Sequence, residues 1–153
     1  MILNRRKFIK RILFALASIE ALFLIKGSVS KVDTSTKKKK LFKAGKVDEF
    51  EANKFYSFLT GQFYLKRFED GGFMALSIKC THLGCVVNIN PKTGGFNCPC
   101  HASQFDKLGE VTSAPATRPL DFFPIEIIQG EIFVDTSKAI QRSSFSKSQI
   151  TYA

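Results

Sequence analysis

A length of 153 residues accommodates one domain with extensions. Its formal charge of +10 would suit a nucleic-acid partner, but thirteen of the 23 Lys and Arg residues sit in residues 1–46, against only Glu20 and Asp33. The rest of the chain carries ten basic and eleven acidic side chains, with no basic run to track a phosphate backbone, so no nucleic-acid partner is expected.

In chain order, residues 1–26 come first. Arg5, Arg6, Lys7 and Lys10 precede an apolar run from Ile12 to Ile25, the pattern of an export signal. Arg5-Arg6 with Phe8 two positions later resembles a twin-arginine signal, a route that carries folded, cofactor-loaded proteins. The 14-residue run from Ile12 to Ile25 spans about 21 Å as a helix, short of a ~30 Å hydrocarbon core, and Glu20 lies within it. Phe8 and Ile9 lengthen the stretch, and Lys10, Arg11 and Lys26 can snorkel. Ser28 and Ser30 would tolerate a signal peptidase, yet an uncleaved helical membrane anchor is the expectation adopted. Residues 27–46 are polar and Lys-rich, including Lys37 to Lys40, and read as a basic flexible linker that cannot bury enough apolar area to order itself.

From Val47 the texture changes to short apolar, β-branched and aromatic runs. Gln62–Phe68 and Phe73–Lys79 flank the turn Glu69-Asp70-Gly71-Gly72, a hairpin signal. Val86–Ile89 precedes a second turn, Asn90–Gly95, and Leu120–Ile128 and Glu131–Val134 flank Gln129-Gly130. No stretch holds a helical period for three turns. The fold class expected is all-β: an antiparallel domain over residues 47–142, preceded by the N-terminal apolar helix and followed by a polar tail at 143–153. Sixteen Phe residues supply core volume in a chain without Trp.

The chemistry is concentrated. All four Cys (Cys80, Cys85, Cys98, Cys100) and both His (His82, His101) fall in a window of 22 residues, on two segments at predicted strand ends: Cys80-Thr81-His82-Leu83-Gly84-Cys85 and Cys98-Pro99-Cys100-His101-Ala102-Ser103. Two metal chemistries compete for these donors. A zinc site would use four and leave two cysteines idle. A two-iron cluster could take two thiolates on one iron and two imidazoles on the other.

The double motif resembles the Rieske proteins of cytochrome bc complexes, most strongly over residues 80–106. The likeness continues to Gly109-Glu110-Val111 and to Ala114-Pro115-Ala116, which resembles a proline-containing loop that covers the cluster. The resemblance implies a Rieske-like antiparallel β domain with two cluster-binding loops. It assigns Cys80 and Cys98 to the inner iron of one [2Fe–2S] cluster and His82 and His101 to the outer iron. It further implies a disulfide between Cys85 and Cys100, which soluble Rieske ferredoxins and oxygenase domains lack, and which suits an oxidising compartment. Leu83 is implied to shield the cluster, Gly84 to let backbone N–H groups approach its sulfurs, and His101, with His82, to meet a quinol.

Function follows as expectation: single-electron transfer by the iron–sulfur subunit of a quinol:cytochrome c oxidoreductase of the cytochrome bc type. Its partners would be a cytochrome b-type subunit, a c-type cytochrome and a quinol, with the cluster domain on the periplasmic side of the cytoplasmic membrane. The alternative is the small Rieske subunit of another exported oxidoreductase such as arsenite oxidase. One departure matters. High-potential members have Ser-x-Tyr after the second histidine; here Ser103 is present but Phe105 replaces the tyrosine. Losing a donor to the electron-rich reduced cluster implies a lower, mid-range potential, suited to menaquinol or another low-potential donor. Ala102 stands where Gly is usual.

Overall fold

The computed structural model describes residues 7–10, 12–14, 16 and 39–153, and the chain divides into two units, Met1–Thr36 and Lys37–Ala153. In the first unit the described residues are helical. Arg5-Arg6, most of the apolar run and the linker up to residue 38 lie outside the described residues. Among the described residues no helix is long and apolar enough to cross a membrane.

The second unit is built on the predicted hairpin. Asp70 Oδ1 accepts from the Gly72 amide (3.1 Å) and Gly71 adopts φ +87°, so the chain reverses between β3 (Phe63–Arg67) and β4 (Phe73–Ser77). Both strands are buried on both faces, Lys66 included, because both faces are covered. Phe63, Leu65, Phe73 and Ala75 point into one core with Ile132 and Val134. Tyr64, Met74, Leu76 and Ile78 point into another, which also holds Cys80, Cys98, Phe96 and Phe105. The central sheet has the order β2-β3-β4-β9, with β2 at Phe55–Phe58 and β9 at Phe122–Phe123.

A three-stranded sheet backs the first core, in the order β1 (Leu41–Lys46), β11 (Glu131–Asp135), β10 (Ile125–Ile128). A four-stranded meander of short strands closes the second: β5 (Asn88–Ile89), β6 (Phe96–Asn97), β7 (Gln104–Phe105) and β8 (Val111–Ser113). Among the described residues of this unit the only helical pieces are 3-10 turns at Val47–Glu49 and Lys147–Gln149. The all-β reading holds.

Two boundaries differ from the sequence reading. Leu41–Lys46, expected in the linker, is an edge strand: Phe42 packs edge-on against Phe58 and Phe63 (ring centroids 5.7 and 5.4 Å). Its lysines stay on the solvent side, Lys43 paired with Glu131 (2.7 Å) and neighbouring Lys39 with Glu126. Counting lysines hides this alternation, because every second residue can be charged without disturbing the buried face. The tail at 143–153 is docked, although its composition is polar. Thr151 exchanges two backbone hydrogen bonds with Phe73 (2.8 and 2.9 Å), Tyr152 Oη donates to Asp70 (2.8 Å), and Phe145 lies 6.4 Å from Phe68. Gly72 permits this approach, since a Cβ there would meet Ile150 and Tyr152.

Candidate metal centre

The two motif loops share one backbone frame. In Cys80–Cys85 the first N–H donates to the sixth carbonyl (Cys80 to Cys85, 2.7 Å) and the fifth N–H to the first carbonyl (Gly84 to Cys80, 2.8 Å). Cys98–Ser103 repeats this, Cys98 to Ser103 at 2.8 Å and Ala102 to Cys98 at 3.1 Å. So does Asn90–Gly95, Asn90 to Gly95 at 2.8 Å and Gly94 to Asn90 at 2.9 Å, though it carries no thiol or imidazole. Each loop joins directly paired residues, Lys79 with Val86, Ile89 with Phe96, and Asn97 with Gln104. The frame is therefore a hairpin property of this sheet, and the donors are mounted on it.

The fifth position of each loop requires the left-handed region: Gly84 at φ +80°, Gly94 at +70° and Ala102 at +60°. Ala102 bears a Cβ where the others bear none. Ala102→Gly is expected to stabilise the domain by about 0.5–1 kcal/mol, the relief of left-handed strain less the entropy of a freer unfolded chain. Thermal unfolding checks this, and an unchanged or lower midpoint would contradict it. Gly84 is needed for its φ angle. Its own N–H is bonded to Cys80 O (2.8 Å).

The frame brings the six candidate residues together. Cys85 and Cys100 form the disulfide, with Cα atoms 6.6 Å apart. Cys80 and Cys98 are free and buried, 3% exposed each. Cys85, Cys98 and Cys100 have sulfurs within 4.8 Å of one another, but two of the three belong to the disulfide, so this trio is not a ligand set. The rings of His82 and His101 stand edge to face, 5.0 Å between centroids. His101 is exposed and His82 partly so, while Leu83 is 70% exposed. In the chain by itself Leu83 stands exposed between His82 and Gly84.

Burial pushes the Cys80 thiol up, and the adjoining Cys98 sulfur adds to this; the nearby His82 amide and Ser103 hydroxyl act the other way. Such a pair sheds its protons when a cation takes their place, which is how soft metal ligands behave. Two inward thiols, two outward imidazoles and a dry apolar backing of Phe96, Phe105 and Ala116 fit an iron–sulfur group with mixed ligands.

Three contacts support the loops; Ser103 and the Ala114-Pro115-Ala116 segment stand out in the sequence, whereas Thr81, Arg118 and Asp121 carry no sequence signal. Ser103 is fully buried, and its Oγ accepts from the Ala116 amide (3.0 Å), tying the second loop to the segment around Pro115. Thr81 Oγ1 donates to Arg118 O (2.6 Å), doing the same for the first loop. Arg118 pairs in turn with Asp121. Phe105 is 2% exposed and sits opposite Phe96 in the sheet.

Residues 40–124 match the Rieske [2Fe-2S] domain. The chain is 39% identical over 75 residues to the cytochrome b6-f complex iron-sulfur subunit 2 of Trichormus variabilis, a match covering 48% of this chain and 42% of that protein. It is 43% identical over 68 residues to the corresponding cyanelle subunit of Cyanophora paradoxa, covering 43% of this chain and 28% of that protein. The matches thus span less than half the length of these relatives. Among solved structures it is similar to the plasma membrane Rieske protein PetC3 of Synechocystis, with 27% identity, a TM-score of 0.49, and coverage of 61% of this chain and 97% of that one.

Proposed function

Since the chain belongs to the Rieske [2Fe–2S] domain family, its cofactor is a Rieske [2Fe–2S] cluster, and we propose that Cys80 and Cys98 hold one iron and His82 and His101 the other, in the iron–sulfur subunit of a quinol-oxidising cytochrome bc- or b6-f-type complex. The observation that carries this reading is the arrangement of two buried thiols and two outward imidazoles on loops locked by Cys85–Cys100. When bound, the cluster supplies a one-electron site whose potential the neutral imidazoles raise above that of all-thiolate clusters.

The chain's own residues do the rest. The exposed ring of His101 can accept a hydrogen bond from a quinol hydroxyl and later carry its proton away, with His82 beside it. Leu83, exposed next to His82, offers an apolar contact to a quinone ring or a cytochrome b-type surface. The same exposed tip presents the imidazoles to a c-type cytochrome. The N-terminal segment serves as membrane anchor in this reading, with the cluster domain outside the cytoplasm, and a disulfide suits that compartment. Copurification from detergent-solubilised membranes tests it: a cytochrome b-type subunit is expected with the chain, and recovery of the chain alone in the soluble fraction contradicts it.

Phe105 bears on the quinol. It packs in the same core as both free cysteines but has no hydroxyl to donate. Phe105→Tyr is expected to raise the midpoint potential, because an added donor favours the reduced, more negative cluster. Redox titration of both proteins checks this; an unchanged or lower potential in the variant would remove the argument for a mid-range potential and a menaquinol donor. Phe105 also favours a second reading, the small Rieske subunit of an exported oxidoreductase such as arsenite oxidase. Copurification with a large molybdenum subunit would decide for that reading.

A further inference from the structure

The family match ends at residue 124, yet Arg142, one of the two buried cationic residues among those described, lies beyond it. The side chain of Arg142 is 3% exposed. Its Nε donates to Leu120 O (2.7 Å), one terminal nitrogen donates to Leu108 O, and the other to Gln149 Oε1 (3.0 Å). Glu110 lies 3.5 Å from it. Leu108 and Leu120 border the two ends of the segment 109–120, which the Leu120 amide closes by donating to Gly109 O (2.9 Å). The guanidinium therefore fastens both ends of this loop across its neck. A Cβ at Gly109 would come within 2.7 Å of it. The loop carries Ala116, whose amide donates to Ser103 Oγ (3.0 Å), and Ser103 closes the second motif loop, its carbonyl accepting from the Cys98 amide (2.8 Å).

We infer that Arg142 is a positioning residue for the cluster: by closing the neck of the 109–120 loop it holds Ala116 on Ser103, and so fixes the second motif loop that carries Cys98 and His101. A planar fork with several donors suits the task, because it bonds carbonyls on both sides of the neck at once. Lysine has one point of attachment and cannot span them equally. The C-terminal segment, docked through Thr151 and Phe145, thus acts on the metal centre from a distance. The inference rests on the cluster reading above for its redox consequence, whereas its structural part, loop closure, does not need the cluster.

The test uses the full chain with its cluster. Arg142→Gln is expected to lower the midpoint potential and to speed hydrogen exchange of peptides covering 110–120 at least about tenfold more than those covering 63–68. Arg142→Lys should give an intermediate shift in both. Ser103→Ala should lower the potential as well, and the double variant Arg142→Gln/Ser103→Ala should lie no lower than Ser103→Ala alone, because both act through one hydrogen bond. Gln149→Leu, a milder change at the rim of the guanidinium, should shift both readouts in the same direction by less, and it serves if Arg142→Gln does not fold. The inference is overturned if exchange rises uniformly over the domain, if the potential does not move, or if the two substitutions add in full. Selective exchange at 110–120 in a protein without iron would instead fault the cluster reading and leave loop closure standing.

Discussion

Replacing Cys80 or Cys98 with Ser, or His82 or His101 with Ala, is expected to yield a chain without cluster: no visible absorbance, no EPR signal on reduction and no retained iron. The loss should be near complete for each of the four. In the proposed ligand set each iron would be held to the chain by two side chains only, so removing one would leave a metal with an open position. The frame beneath them should persist, because the same hairpin loop forms at Asn90–Gly95 without any donor. Circular dichroism should therefore show a folded β domain in the cluster-free variants. A variant at any of these four positions that keeps a full cluster would remove that residue from the ligand set.

The second large effect concerns stability. The double variant Cys85→Ser/Cys100→Ser is expected to lose about 3 kcal/mol, the entropy of leaving a 15-residue loop open in the unfolded chain. For a domain of this size that lowers the unfolding midpoint by roughly 10 °C. Cys80 and Cys98 remain buried in the core, so the double variant should still assemble a cluster in the cold and lose it on heating before the parent does. An unchanged midpoint would mean that the disulfide contributes nothing to holding the loops. Loss of the cluster at every temperature would mean that one of these sulfurs is a ligand.

The hairpins and the donors were legible in the sequence for the same reason: both are local. Asp70 and Gly71 specify their turn whatever surrounds them, and six metal-binding side chains in one window leave few chemistries open. The edge strand Leu41–Lys46 was not legible, because its burial depends on Phe58 and Phe63 arriving from elsewhere. The same holds for the tail, where serines conceal Phe145, Ile150 and Thr151. Arg142 gave no signal at all. A lone arginine ahead of a Ser-rich stretch reads as solvated until Leu108 and Leu120, distant in sequence, and the nearer Gln149 are seen to converge on it. The left-handed strain at Ala102 likewise becomes visible only beside Gly84 and Gly94 in the shared frame.

Pulsed EPR on the dithionite-reduced protein, purified from cells fed ¹⁵N-histidine, tests the centre most directly. Couplings to two imidazole nitrogens are expected in the parent, with no intact cluster left to carry them when His82 or His101 is replaced. A centre coupled to no histidine nitrogen, or a colourless, EPR-silent protein carrying zinc, would contradict it.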